Sequence, residues 1–441
     1  MAVQVSLDPR EIIAKSPMSA IQIAVVAITI GLNALDGFDV LAISFASPGI
    51  ARAWGIDRAV LGFVLSMELI GMGIGSIFIG GVADKIGRRR TLLGCLAVMC
   101  LGMIMATRAK GVYDLSMWRV FTGLGIGGML AAINAVAAEF SNARRRSLNV
   151  SLMAIGYPIG AVVGGSISAL LLKQGDWQVV FEFGAAATAA FIPLVFWMVP
   201  ESISWLCRRQ PAGALTGVNR SLGRMGHPPV AELPVISAEA RKRSVLDIFS
   251  PQLLRVTVLV TLAYFLHITT FYFILKWVPK IVVDMGFTPS SAAGVLVWAN
   301  VGGATGGAVL GLLSLRFGLK HLTMIVLVMS TMMVAVFGHG QANLSQLSLV
   351  CAVAGFFTNA GVVGLYGIFA QVFPTHVRAT GTGFAVGFGR GGAMLAPIIA
   401  GYLFHAGYGL EFVAVAMGVG SVIATIALWL LPYRSEPAAA V

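Results

Sequence analysis

Long apolar stretches recur along nearly the whole chain, each close to the ~20 mostly apolar residues that a helix needs to cross a bilayer. They predict spans near residues 19–45, 58–83, 91–109, 113–139, 147–172 and 177–199. A second set is expected near 253–279, 289–314, 320–339, 346–372, 380–404 and 409–431. One long polar interval, 201–250, separates the sets; it holds Pro211, Pro228, Pro229, Pro234 and the basic cluster Arg241, Lys242 and Arg243. The pattern predicts an all-α membrane protein with twelve transmembrane helices. Residues 1–200 form a first six-helix bundle, 201–250 a cytoplasmic linker and 251–441 a second six-helix bundle. The chain is polar up to about Pro17, and the apolar run that follows is too long for a signal-peptide core. It is expected to remain as the first helix.

Composition agrees. Of the 441 residues, 58% are hydrophobic and 11% charged, against about 25% charged in soluble domains. The 53 glycines fit helices that pack closely in a membrane rather than disorder. The net charge of +12 suggests nucleic acid only until its location is considered. With the N-terminus taken as cytoplasmic, the inner loops carry Arg10, Lys15, Lys85, Arg88, Arg89, Arg90, Arg144, Arg145, Arg146, the stretch from Arg208 to Arg243, Arg316, Lys320, Arg378 and Arg434. The outer loops carry Arg52, Arg58, Arg108, Lys110, Lys173 and Lys280. This positive-inside bias orients the protein with both termini cytoplasmic and removes the case for nucleic acid. The four cysteines, Cys95, Cys100, Cys207 and Cys351, form no disulfide framework or metal-like cluster; no metal or cofactor is expected.

The two halves read as copies. Gly80-Gly-Val-Ala-Asp-Lys-Ile-Gly-Arg-Arg89 matches Gly311-Leu-Leu-Ser-Leu-Arg-Phe-Gly-Leu-Lys320 at an offset of 231 (311 − 80). Glu139 through Arg146 matches Gln371 through Arg378 at 232 (378 − 146), and Gly156 matches Gly389 at 233 (389 − 156). Parallel repeats of this kind are a transporter plan. The first loop, with Gly80, Asp84, Lys85, Gly87, Arg88 and Arg89, resembles the signature loop of the major facilitator superfamily. Arg119, Gly123 and Gly125 resemble its second motif, and Pro200-Glu201-Ser202 its exit from the first half. The resemblance covers the full chain. It implies two six-helix bundles related by a parallel pseudo-two-fold, working by alternating access. Asp84 can cap a helix N-terminus or meet Arg88 and Arg89 across a cytoplasmic gate. Glu139, Arg144, Arg378 and Gln371 are expected at the same gate. Leu315 replaces Asp84 in the second copy, so the latch is expected to be asymmetric.

Ionisable residues inside spans are costly and point to function. Asp36 and Asp39 are three residues apart and share a helix face, with Asn33 one turn earlier. Helical rise puts Arg119 of the fourth span at about their depth. Two carboxylates against one guanidinium leave one poorly compensated, which suits a proton-carrying pair tuned by Arg119. Glu68 is a second proton site or the partner of Arg390. Arg390 stands near the bilayer centre among small residues, Phe388-Gly-Arg390-Gly-Gly392; its planar fork matches a carboxylate. Tyr157, Tyr264, His267, Asn300 and Asn359 supply rings, amides and a titratable imidazole for a flat hydroxylated ring. Lys276 reads as a snorkelling interfacial residue.

Asp36-Gly-Phe-Asp39 in the first span resembles the hallmark of the aromatic acid:proton symporters. That resemblance implies a proton and a small aromatic carboxylate, hydroxybenzoate-like, as partners, in a monomeric carrier of the bacterial inner membrane. It also implies that Asp36 and Asp39 are required for transport. Carriers of other organic acids or sugars, and a drug exporter, are the competing readings. A sugar makes no use of Arg390, and exporters of hydrophobic cations favour an acid there. No arrangement typical of an enzyme is present.

Overall fold

A computed structural model describes residues 8–234, 248–340, 342–374 and 377–432, except for the side chains of residues 80 and 379. The cluster Arg241, Lys242 and Arg243, and Arg434, lie outside the described residues. Every described element is a helix: α1 Pro9–Lys15, α2 Ala20–Trp54, α3 Arg58–Ile86, α4 Arg88–Thr107, α5 Val112–Glu139, α6 Arg146–Leu171, α7 Gln178–Met198, α8 Ile203–Arg209, α9 Ala214–Arg224, α10 Leu254–Asp284, α11 Pro289–Leu313, α12 Leu319–Gly338, α13 Leu344–Val372, α14 Arg378–His405 and α15 Leu410–Trp429. Twelve are long and apolar enough to cross a membrane, and they fall where the hydrophobic stretches predict. The protein is a multi-pass membrane protein.

Two differences have local causes. The first span runs nine residues past the expected end (54 − 45), straight through Pro48. Proline cannot donate to the carbonyl four residues back, and here the Ser47 hydroxyl donates to Ser44 O instead, at 2.9 Å. The interval read as a linker is helical over much of 201–234: α8 and α9 fold there. Ser202 caps α8 by accepting from the Trp205 N–H at 3.2 Å, and α9 buries Ala214, Val218, Ser221 and Leu222 on one side.

The described chain clusters into two compact units. The first draws on Met1–Val40, Ile70–Ala161 and Phe181–Arg241, the second on Leu41–Leu69, Val162–Val180 and Lys242–Val441. In both, glycines let backbones meet, as close-packed membrane helices require. In the first unit a β-carbon on Gly71 would stand 2.1 Å from Val120 O, so α3 and α5 touch backbone to backbone. In the second, one on Gly302 would stand 1.8 Å from Ala352 O, joining α11 to α13 in the same way. Large apolar side chains such as Ile77, Phe78 and Leu312 are 75%, 69% and 68% exposed.

Candidate functional site

The first unit holds a buried charge cluster. Asp36 and Asp39 on α2 and Arg119 on α5 are all fully buried. Arg119 donates from Nη2 to the carbonyl oxygen of Asp39 at 3.1 Å and places Nη1 3.4 Å from Met103 Sδ. Its guanidinium lies 5.2 Å from the centre of the Phe181 ring. Arg119 thus lies against the backbone of Asp39.

The glycine between the acids has a packing role. A β-carbon on Gly37 would lie 2.0 Å from Tyr157 O, so α2 and α6 are in backbone contact at this point. β-Carbons on Gly156 and Gly160 of α6 would likewise stand 2.3 and 1.7 Å from Ile30 O and Ala34 O. Asn33 fastens the contact, donating from Nδ2 to Met153 O at 2.8 Å and Ala154 O at 3.3 Å. Asn33 is thus a helix–helix tie here rather than a group turned to a ligand. Tyr157 lies half-buried on α6.

A second network surrounds the basic loop between α3 and α4. Arg88 donates to Asp84 Oδ1 at 2.7 Å and to Glu139 Oε1 at 3.1 Å. Glu139 also receives Arg208 at 3.5 Å and the Ser202 hydroxyl. Asp84 does not cap α4. Glu201 does so from 113 residues away, its Oε1 accepting the N–H of Arg88 at 2.7 Å and that of Arg89 at 3.3 Å. It also accepts the Ser202 N–H at 3.0 Å. Gly87, at φ 104°, makes the turn, and any β-carbon there would run into Glu201 Oε2 at 2.4 Å. Arg89 turns away from Asp84 to the Phe196 carbonyl and lies 4.9 Å from the centre of the Phe196 ring. Arg144 is exposed, and the basic partners of Glu139 are Arg88 and Arg208. Glu201 and Arg208 escaped the sequence reading as network members; the Pro200-Glu201-Ser202 motif was the available signal.

The second copy of the loop is built differently. Leu315 is 75% exposed, Lys320 donates to the carbonyls of Trp429 and Leu431 at 3.4 and 2.9 Å, and Arg378 donates to its own neighbour Phe373 O at 3.2 Å.

In the second unit, Glu68 on α3 and Lys276 on α10 are fully buried 3.7 Å apart. This corrects two readings. Lys276 does not snorkel to an interface, and the basic partner of Glu68 in the structure is Lys276 rather than Arg390. His267 is also a packing residue. Its Nε2 lies 2.8 Å from Thr358 O, which only accepts, so Nε2 carries the proton. Nδ1 then takes the Ser421 hydroxyl at 2.8 Å. Both nitrogens are engaged, and Gly361 leaves the room the ring occupies.

Arg390 on α14 is half-buried, and among the described residues no carboxylate lies within ion-pair distance of it. The neighbouring Gly389 packs flat on the Tyr264 ring: a β-carbon there would stand 2.1 Å from its Cδ1. The Tyr264 and Tyr366 hydroxyls share a hydrogen bond of 3.0 Å, with Tyr264 buried and Tyr366 exposed. Asn300 donates to Leu296 O at 2.9 Å and Asn359 to Gly303 O at 2.7 Å, so α11 and α13 hold both amides in place. The second unit thus offers a guanidinium, a tyrosine pair and two oriented amides. Of these, the guanidinium is the group whose chemistry matches a carboxylate.

Comparison with known proteins gives this geometry a frame. The family model described as Major Facilitator Superfamily matches residues 29–339 and again 260–441. The chain is 31% identical over 412 residues to the 3-(3-hydroxy-phenyl)propionate transporter of Escherichia coli (strain K12), covering 92% of this chain and 94% of that one. It is 28% identical over 430 residues to the gallate transporter of Pseudomonas putida, covering 97% and 95%. Against the 4-hydroxybenzoate transporter PcaK of the same organism it is 29% identical over 426 residues, covering 96% and 95%. The solved structure of a D-xylose-proton symporter superposes with a TM-score of 0.72 at 18% identity, covering 93% and 97%; that likeness concerns the fold. The resemblance read from Asp36-Gly-Phe-Asp39 agrees with the three sequence relatives.

Proposed function

The chain belongs to the Major Facilitator Superfamily, and from that premise we propose that it is a proton-coupled symporter importing a small, hydroxybenzoate-like aromatic carboxylate across the bacterial inner membrane. It is a transporter and not an enzyme. The observation that carries the proposal is the cluster of Asp36, Asp39 and Arg119, fully buried in apolar helices. Two carboxylates beside one guanidinium are a costly arrangement that a membrane helix keeps for a purpose, and proton exchange is the chemistry such a set performs. The three relatives are named as carriers of molecules that join an aromatic ring, a hydroxyl and a carboxylate, which supports the choice of substrate class.

In the cycle we infer, the carrier takes a proton on the Asp36–Asp39 pair and an aromatic carboxylate on Arg390. Tyr264 and Tyr366, with Asn300 and Asn359, orient the ring. Neutralising both charges lowers the cost of enclosing them. The working parts are the halves 1–200 and 251–441, joined by 201–250. The network of Asp84, Arg88, Glu139, Arg208 and Glu201 latches the cytoplasmic side of the first half. Both termini are cytoplasmic by the positive-inside rule, and the monomer is the functional unit.

Uptake of labelled 4-hydroxybenzoate into proteoliposomes tests this, with an inward proton gradient and with it collapsed. Gallate, D-xylose and a short aliphatic acid serve as competitors. Accumulation should require the gradient, yield only to the aromatic acid, and disappear in Asp36→Asn. Full gradient-driven accumulation in that variant would refute the coupling site. Competition by xylose or the short acid would refute the substrate class.

A further inference from the structure

Between the start of α4 and the paired helices α8 and α9, the first unit has a cavity of about 480 Å³ that the transport cycle above does not use. Its size lies within the ~300–1,000 Å³ typical of small-molecule sites. Four arginines line it: Arg89, Arg90, Arg220 and Arg224. Glu201 is the acidic residue in the wall, giving a formal excess of three positive charges (4 − 1). That glutamate is already engaged, its Oε1 accepting backbone N–H groups of Arg88, Arg89 and Ser202. Among the described residues no carboxylate stands within ion-pair distance of Arg89, Arg90, Arg220 or Arg224. Arg89 Nε is buried without a hydrogen-bond partner. A cluster of like charges with donors to spare is an anion site awaiting its anion.

The rim says which anion. Arg89 lies over the Phe196 ring and donates to the Phe196 carbonyl, and Arg224 donates to Trp197 O at 2.6 Å. Phe196 and Trp197 are in the last turn of α7, a membrane span, and are 51% and 69% exposed. An outward aromatic pair at the end of a span sits at headgroup level. The cavity therefore opens where a lipid phosphate lies, with Trp205 as a further aromatic wall. We propose that this cavity binds the phosphodiester headgroup of an anionic phospholipid, held by Arg89, Arg90, Arg220 and Arg224. Because Arg89 and Glu201 also belong to the capped start of α4, the bound headgroup would brace that helix end. The proposal is independent of the transported substrate.

The test uses the full-length protein in nanodiscs of phosphatidylcholine with and without phosphatidylglycerol, read by native mass spectrometry for retained lipid and by thermal unfolding. Arg90→Gln/Arg220→Gln is the variant, since neither side chain makes an ion pair within the described structure. Wild type should retain phosphatidylglycerol at least tenfold over phosphatidylcholine. At the strength of arginine–anionic lipid attraction, losing two arginines should weaken retention about thirtyfold. Unfolding in pure phosphatidylcholine should be unchanged, which separates lost binding from lost folding. Equal retention of the two lipids, or undiminished retention by the variant, overturns the proposal. If inorganic phosphate in phosphatidylcholine nanodiscs protects wild type as well as phosphatidylglycerol does, the site serves a free anion and the lipid assignment fails.

Discussion

Gly37 separates the two acids of the first span, and replacing it with alanine tests whether helix contact sets their position. The added methyl would lie 2.0 Å from Tyr157 O, where ordinary contact begins at 3.4 Å, so α2 and α6 must part by about 1.4 Å (3.4 − 2.0). Little slack is available, because Gly156 and Gly160 hold the same two helices at 2.3 and 1.7 Å by the same measure. Overpacking of this kind costs about 1–3 kcal/mol, and alanine returns up to about 1 kcal/mol of helix propensity. The net loss of stability is therefore modest, about 1 kcal/mol. Misplacing a reacting group by ~1 Å can cost about a hundredfold in rate, so function should suffer far more than folding. Gly73→Ala is the control, since a β-carbon there meets nothing within 4 Å. Gradient-driven uptake per folded molecule should fall at least tenfold in Gly37→Ala and hold in Gly73→Ala, with unfolding temperatures only slightly apart. Wild-type uptake by Gly37→Ala would refute the idea that this contact places the acids.

Two further outcomes follow from the buried and capping groups. Lys276→Met should destabilise by about 3–5 kcal/mol, as expected when one partner of a buried pair is removed, because Glu68 and Lys276 are both fully buried. The double variant Glu68→Gln/Lys276→Met should recover most of that loss, and thermal unfolding of the two proteins decides it; a double variant no better than the single would mean that the pair is not a unit. Glu201→Ala should cost about 1–2 kcal/mol through the lost cap on α4, whereas Glu201→Gln, which keeps an accepting oxygen, should cost less. Equal unfolding temperatures for the two would remove Glu201 as the cap.

Features whose cause is local are legible in the residues alone. Twelve spans are legible because a lipid-crossing helix must be apolar over its own length, whatever it packs against. Asp36, Asp39 and Arg119 stand out because charge in an apolar run is rare and helical rise alone sets depth. The bond from Arg88 to Asp84 is one helical turn in sequence. Features that depend on distant partners emerge only when the helices pack. Lys276 looked like a residue that reaches for the interface until α10 placed it against Glu68, 208 residues earlier (276 − 68). For His267 the sequence offered a titratable imidazole, and its partners, Thr358 and Ser421, are 91 and 154 residues away. Glu201 caps a helix that begins 113 residues before it. Periodicity says which face of a helix is apolar; it does not say which other helix that face will meet. In a membrane the choice rests on where glycines allow backbones to touch, as Gly37 does against Tyr157, and such contacts exist only once the chain has packed.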